Sequence, residues 1–460
     1  MKLEDIDGAV LLQREKYLEN SFIDYDKRME LLTKIEVVID KNQKEILQAL
    51  YLDLGKPTYE SQLSEILFVQ NEIRSIKKHL KKWMKKERVK TPLIHFPAKS
   101  YILPEAYGSI LIIAPWNYPF QLLISPLIGA IAAGNRVVLK PSEVSVNTSK
   151  VIRKLIDENF DPEFITCVEG AVPETTRLLD NRFDYIFYTG NAHVGRIVME
   201  KASRNLTPLT LELGGKSPTF VFGDSNLDLV AKRIISGKFF NAGQTCIAPD
   251  YVLVQEDKYD ELVDKLKIYI DKFYGKDPSK SKDFGRVIND AHFQRLSSLI
   301  EEEKILCGGI FSVEDKYISP TLLSASAHDK CMEEEIFGPI LPIVKMPNLK
   351  SAIDFVTTRE KPLAMYIFTN ERKVRDSILK RVSAGGVTVN DTLMHITNEH
   401  LPFGGVGESG MGAYHGKNSF DLFSHKKAIF SASTSLDLPA KYPPYFGKFR
   451  IVKWLLRFFG

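Results

Sequence analysis

The sequence predicts an α/β fold with more than one domain, on two observations. Short apolar runs bounded by breakers alternate with segments long enough for helices, the pattern of a layered α/β protein. The length of 460 residues also exceeds what one hydrophobic core holds, and a 44% hydrophobic content supplies ample interior.

Over residues 11–90, Leu, Ile, Glu and Lys recur at helical spacing, broken strongly only at Gly55-Lys56-Pro57-Thr58, which predicts two or three long helices. The pairs Lys77-Lys78, Lys81-Lys82 and Lys85-Lys86 repeat along one helical face, read as solvated surface rather than an anion or membrane patch. At Gly108 the texture changes. Apolar strands are expected at 109–114 and 136–140 on either side of an apolar helix over 120–133, a unit suited to a parallel sheet covered on both faces. A third strand is expected at 185–188, followed by Thr189-Gly190-Asn191-Ala192-His193-Val194-Gly195 and a helix through Met199. The Gly190 to Gly195 spacing is not the Gly-x-Gly-x-x-Gly fingerprint, but between strand and helix it offers free N–H groups to an anionic phosphate. A second α/β region runs from Thr219 to about Val387, with strands expected at 219–222, 251–254, 342–344 and 364–368.

Composition narrows the function. A formal net charge of +4 is small for this length and calls for no nucleic-acid partner. The cysteines, Cys167, Cys246, Cys307 and Cys331, are widely spaced without a Cys-x-x-Cys, so neither a disulfide framework nor a zinc site is expected, and a reducing compartment is. No histidine has metal-ligand spacing. The N-terminus lacks the apolar core of a secretory signal, and no run of about eighteen apolar residues occurs, which points to the cytoplasm.

The chemistry centres on Gly243-Gln244-Thr245-Cys246, which follows Leu211-Glu212-Leu213-Gly214-Gly215-Lys216 in sequence. A thiolate is the reactive form of cysteine, and a carboxylate that deprotonates water could release an acyl group from it. Glycine and small polar residues ahead of Cys246 suit an exposed turn, whereas the other cysteines read as small buried hydrophobes.

With Ala114-Pro115-Trp116-Asn117-Tyr118-Pro119-Phe120, Lys140-Pro141-Ser142-Glu143, Glu334-Glu335-Ile336-Phe337-Gly338-Pro339 and Leu401-Pro402-Phe403-Gly404-Gly405-Val406-Gly407, these segments resemble the signatures of the NAD(P)-dependent aldehyde dehydrogenases, in that family's order. The ending Ser409-Gly410-Met411-Gly412-Ala413-Tyr414-His415-Gly416-Lys417 is similar to the class 3 branch, whose members act on fatty and aromatic aldehydes. The resemblance implies a Rossmann-like cofactor domain (1–82 and 105–210), a catalytic domain (211–395) and a bridging element (83–104 and 418–440) that pairs two subunits as a homodimer. It further implies a loop near the active site at 396–417 and a basic amphipathic tail at 441–460. By the same resemblance Cys246 is the nucleophile, Glu212 the base and Asn117, with the Cys246 N–H, the oxyanion donor. Trp116, Lys140, Glu143, Gly190, Gly195, Glu335 and Phe337 meet the cofactor, and Tyr118 and His415 are pocket candidates. NAD is the first choice, because the Glu143 carboxylate would repel a 2′-phosphate, with NADP left open and no metal required. Asn191 departs from the serine of many relatives. An acylating enzyme that passes the thioester to coenzyme A, a catalytically silent protein on the same fold and a membrane-surface scaffold are the competing readings; Glu212 argues for hydrolysis over the first, and the presence of Cys246, Asn117 and Glu212 argues against the second.

In the tail, Arg450, Lys453 and Arg457 share one side of a helical wheel against Phe, Trp and Leu. That pattern predicts a helix lying on a membrane surface or capping the substrate entrance, or else packed on its own subunit or a dimer partner.

Overall fold

The structure, a computed structural model, describes residues 3–437 and 441–459; Met1, Lys2, 438–440 and Gly460, which the expected cofactor domain, bridging element and tail include, lie outside the described residues. The apolar runs form two α/β sheets. The first, in spatial order Gly410–Met411, Leu209–Glu212, Tyr185–Thr189, Ser109–Ile113, Arg136–Lys140 and Ile165–Cys167, is parallel except at its Gly410–Met411 edge. The second runs Ile305–Cys307, Thr321–Ala325, Ile340–Met346, Tyr251–Gln255, Pro218–Val221, Ala364–Phe368 and Gly386–Val389, and is antiparallel only at Ile305–Cys307. Ser109–Ile113, Arg136–Lys140, Tyr185–Thr189 and Ala364–Phe368 are buried along their whole length, because helices cover both faces. The strands expected from the sequence are therefore present, each within about two residues of its expected bounds.

The N-terminal helical region starts at Leu3, earlier than the periodicity indicated, and its last helix ends at Trp83. Leu3–Glu19 buries only Ile6 and Val10 among its apolar side chains, too few to print a stripe on the sequence. Tyr25–Leu54 is capped by the Asp24 carboxylate, which accepts the Lys27 N–H at 2.8 Å, and stops at Gly55 in the left-handed region (φ 56°). After that break, Thr58–Ser61 continues through a π turn, Gln62–Leu67, into Phe68–Trp83. The lysine face is mostly exposed, with Lys77 paired to Glu36 at 2.8 Å. The wholly buried helix Gln121–Ala133 packs against Tyr25–Leu54 and Phe68–Trp83 on one side of the first sheet.

Residues 87–89, expected to be helical, are a strand. Glu87–Val89 pairs with Lys99–Ala106, which in turn pairs antiparallel with Ser424–Ser431 in a separate, largely solvent-facing sheet. The tail forms the helix Phe449–Phe459, which lies against the turn Leu93–His95. Among the described residues no helix is long and apolar enough to cross a membrane.

Candidate active site

Cys246 follows the helix Leu227–Phe239 by way of a left-handed kink. Asn241, Ala242 and Gly243 have φ of 54°, 52° and 74°. Gly243 has no substitute here, since a Cβ would lie 2.2 Å from the Gly338 carbonyl oxygen. The turn expected to be exposed is in fact buried from Asn241 through Thr245, and Cys246 alone in it is partly exposed. Burial is tolerable because its polar groups are satisfied. Gln244 donates through Nε2 to the Asn241 and Arg286 carbonyls at 3.1 and 2.9 Å, and its Oε1 accepts the Ile288 N–H at 3.0 Å.

Asn117, just beyond Ser109–Ile113, meets this turn twice. Its Nδ2 donates to the Gln244 carbonyl at 3.1 Å, and its own carbonyl accepts Asn241 Nδ2 at 2.9 Å. An amide nitrogen carries two hydrogens, so one N–H remains for a further acceptor. The Tyr118 hydroxyl lies 2.6 Å from Thr245 Oγ1, and its ring lies beneath Lys56 Nζ at 3.8 Å. Lys56 is ion-paired at 2.7 Å with Glu65, itself wholly buried and also accepting the Gln121 N–H at 2.8 Å.

Glu212 ends the strand Leu209–Glu212, with its backbone carbonyl accepting the Gly190 N–H at 3.0 Å. The side chain is 2% exposed and neither carboxylate oxygen has a partner among the described residues. Burial holds this carboxyl well above the usual carboxylate range. Burial likewise pushes the Cys246 thiol up, reinforced by Glu335 and Glu212 and opposed by the N–H groups of Cys246 and Ile247. The other cysteines are free, with Cys167 and Cys331 buried and Cys307 half-buried.

On the sheet side, the helix Ala192–Ser203 is capped by Asn191, whose Oδ1 accepts the Val194 N–H at 2.9 Å. The side chain that replaces serine thus caps the helix, and the first N–H groups of the helix have no intrahelical acceptor. A Cβ on Gly190 would meet the Tyr188 hydroxyl at 2.2 Å, and one on Gly195 would meet Leu213 Cδ2 at 3.0 Å. Lys140 is buried, its Nζ donating to the Pro141 carbonyl at 2.6 Å and lying 3.5 Å from Glu143, whose side chain is 46% exposed. Glu335 packs where a Cβ on Gly214 would come within 2.0 Å of its Oε2, and burial and Asp250 push its carboxyl up to about 8. Phe337, at φ 53°, stands edge-on to Trp116 with ring centres 5.4 Å apart.

Lys216 and Asp250, given no role by the sequence, hold the Glu335 segment. Lys216 Nζ donates to Asp250 at 2.6 Å and to the Cys331 and Glu334 carbonyls at 2.7 and 2.9 Å, while Asp250 accepts the Ile336 N–H at 3.0 Å. Lys216 was visible in the Leu-Gly-Gly-Lys run; Asp250 carried no signal. The donor set fits a dinucleotide: a helix N-terminus behind a side-chain-free glycine suits phosphate, and the Glu143 and Glu335 carboxylates suit ribose hydroxyls. Among the described residues no group of three or more His, Cys, Asp or Glu is arranged to hold a metal.

A cavity of about 1150 Å³ reaches Cys246, walled by Leu63, Leu67, Phe68, Phe240, Met394 and Ile396. Tyr118 and His415 also line it. His415, at φ 79°, is buried with Nδ1 3.2 Å from Glu72 and its ring 3.8 Å from that of Tyr414. Neither Glu212, Glu335 and Lys140 nor any described residue of 441–459 lines this cavity.

Three comparisons bear on this arrangement. The model of the aldehyde dehydrogenase family matches residues 1–429. The chain is 48% identical over 433 residues to 4,4'-diaponeurosporen-aldehyde dehydrogenase of Staphylococcus aureus, covering 94% of each. It is 46% identical over 420 residues to aldehyde dehydrogenase family 3 member A2 of Macaca fascicularis, covering 91% of this chain and 87% of that one. To aldehyde dehydrogenase, dimeric NADP-preferring, of Rattus norvegicus it is 45% identical over 445 residues, covering 96% and 98%. A solved structure of the substrate-bound state of Staphylococcus aureus AldH matches with a TM-score of 0.97 at 45% identity, over 98% of this chain and 99% of that one.

Proposed function

Because the chain belongs to the aldehyde dehydrogenase family, whose members are oxidoreductases acting on the aldehyde group, we propose that it oxidises long-chain or aromatic aldehydes through an adduct on Cys246. The observation that carries this reading is the meeting of an apolar cavity with Cys246, on a turn whose Gln244 carbonyl holds one hydrogen of the Asn117 amide.

The Cys246 thiol gives its proton to solvent water, and the thiolate attacks the carbonyl carbon to form the oxyanion of a thiohemiacetal. The spare Asn117 N–H and the Cys246 backbone N–H receive the oxyanion; losing one such donor typically costs roughly 10²–10³ in rate. The nicotinamide dinucleotide, when bound against Gly190, Lys140, Glu143 and Glu335, supplies the hydride acceptor. Loss of hydride from the adduct leaves a thioester on Cys246. Glu212 takes a proton from water, the hydroxide adds to the thioester carbon, and collapse expels the Cys246 thiolate and the carboxylic acid. The desolvated Glu212 is suited to this step, because a raised pKa makes its carboxylate a stronger base.

The cavity exceeds the usual size of a small-molecule pocket, and its apolar walls favour long or aromatic substrates over short polar ones. NAD is the proposed cofactor, with the Glu143 charge set against a 2′-phosphate. The protein is proposed to act in the cytoplasm as a homodimer joined through the solvent-facing sheet of Lys99–Ala106 and Ser424–Ser431, with the tail resting on a membrane surface.

The test is aldehyde-dependent NADH formation by purified protein, with Cys246→Ala beside it. The variant should lose oxidation yet keep dinucleotide affinity; normal turnover would sink the assignment. Across an aldehyde panel kcat/KM should rise with chain length.

A further inference from the structure

Of the carboxylates that line the cavity, none of which the reaction above uses, Glu60 is the one bonded to the nucleophile turn. Glu60, on the short turn Thr58–Ser61, lines the cavity and is buried. Its Oε2 accepts the backbone N–H of Asn241 at 2.8 Å, from a residue far away in sequence. Asn241 and Ala242 are non-glycine residues in the left-handed region, a conformation that persists only where the surroundings over-determine it. At this kink the Asn241 side chain reaches the Asn117 and Gln244 carbonyls at 2.9 and 3.1 Å, and the same Gln244 carbonyl takes one hydrogen of the Asn117 amide. The direction of the other hydrogen follows from that contact.

We propose that Glu60 is a positioning residue: its carboxyl oxygen holds the nucleophile turn in the left-handed path that aims the Asn117 amide at the oxyanion. This rests on the roles given above to Cys246 and Asn117. What matters is an acceptor at the right reach, not a charge. Burial pushes the Glu60 carboxyl up to about 7, against the pull of the Asn241 N–H and Lys56, so the neutral form is already within range near neutral pH. The neighbouring Lys56 is ion-paired with Glu65, and Glu60 forms no ion pair among the described residues.

Steady-state kinetics of Glu60→Gln, Glu60→Asp and Glu60→Ala test this. Glu60→Gln keeps an oxygen at the same reach and should stay close to wild type. Glu60→Asp keeps the charge but withdraws the oxygen by one methylene, and should lower kcat about 100-fold, as a misplacement near 1 Å does. Glu60→Ala should match Glu60→Asp; if it does not fold, the Asp and Gln pair carries the comparison. KM for the aldehyde and affinity for NAD should not move. In an Asn117→Ala background the loss should vanish, because both changes act on one donor. An active Glu60→Asp with an inactive Glu60→Gln, a loss confined to aldehyde KM, or full additivity with Asn117→Ala would each overturn the proposal. Turnover by Cys246→Ala would instead overturn the reading it rests on, whereas a dead Cys246→Ala beside a fully active Glu60→Asp overturns Glu60 alone.

Discussion

Two buried carboxylate oxygens without a partner among the described residues make Glu212 a strained residue, and the strain has a sign. Its folded pKa lies above the unfolded one, so the folded state keeps a proton that the unfolded state loses as pH rises past the ordinary carboxylate range. Stability therefore falls with rising pH through that window. Glu212→Gln should melt higher than wild type at pH 8, with the gap closing toward pH 4, as followed by Tm of the apoprotein; a constant or negative gap refutes the desolvation argument. The same variant should give one burst of NADH and then stall, because the thioester forms and is not hydrolysed. In the wild type, turnover limited by hydrolysis should rise with pH as the carboxylate form grows. Glu143 is the opposite case, half exposed and beside Lys140 at 3.5 Å. Glu143→Gln should narrow the NAD over NADP ratio of kcat/KM, and an unchanged ratio would remove charge repulsion as the basis of the preference.

At the scale of elements, the turn Phe240–Gly243 joins a helix to the nucleophile and tolerates no side chain at its end. In Gly243→Ala the left-handed φ costs about 1–2 kcal/mol, and the 2.2 Å approach to Gly338 adds a backbone overlap. Both Tm and kcat should drop, and a variant with native Tm and turnover would show that the loop of Gly338 yields. The elements most legible in the sequence were those whose apolar runs are buried on both faces, such as Ser109–Ile113 and Ala364–Phe368. Lys99–Ala106 and Ser424–Ser431 fall in the bridging element that the resemblance implied, but the residues themselves gave no strand signal, because the pairing joins distant parts of the chain and exposed Lys426 and Lys427 leave no apolar alternation. Cys246 stood out through its flanking motif. Glu60 and Asp250 were invisible, since a carboxylate that caps a distant backbone N–H has no local pattern.

At the scale of the whole molecule, the tail carries Phe446, Phe449, Trp454 and Leu456 outward, beside exposed Leu93 and Phe96, with Arg450, Lys453 and Arg457 among them. A helix with its basic residues on one side and aromatic and aliphatic ones over the rest suits an anionic lipid surface. Truncation after Pro444 should abolish binding to phosphatidylserine vesicles and leave oxidation of a short, soluble aldehyde unchanged. Binding that survives truncation refutes the membrane reading, and a shift from dimer to monomer by light scattering would assign the tail to the subunit contact instead.

None of the residues proposed to meet the dinucleotide, Gly190, Lys140, Glu143 and Glu335 among them, lines the apolar cavity at Cys246. Heredity can therefore work on them separately. Replacements along Gln62–Leu67, Phe68–Trp83 or the stretch Met394–Thr397 can widen, shorten or bend the aldehyde's path while Gly190, Lys140 and Glu335 stay as they are. A lineage can thus exchange one aldehyde for another by small steps without passing through a form that has lost its coenzyme.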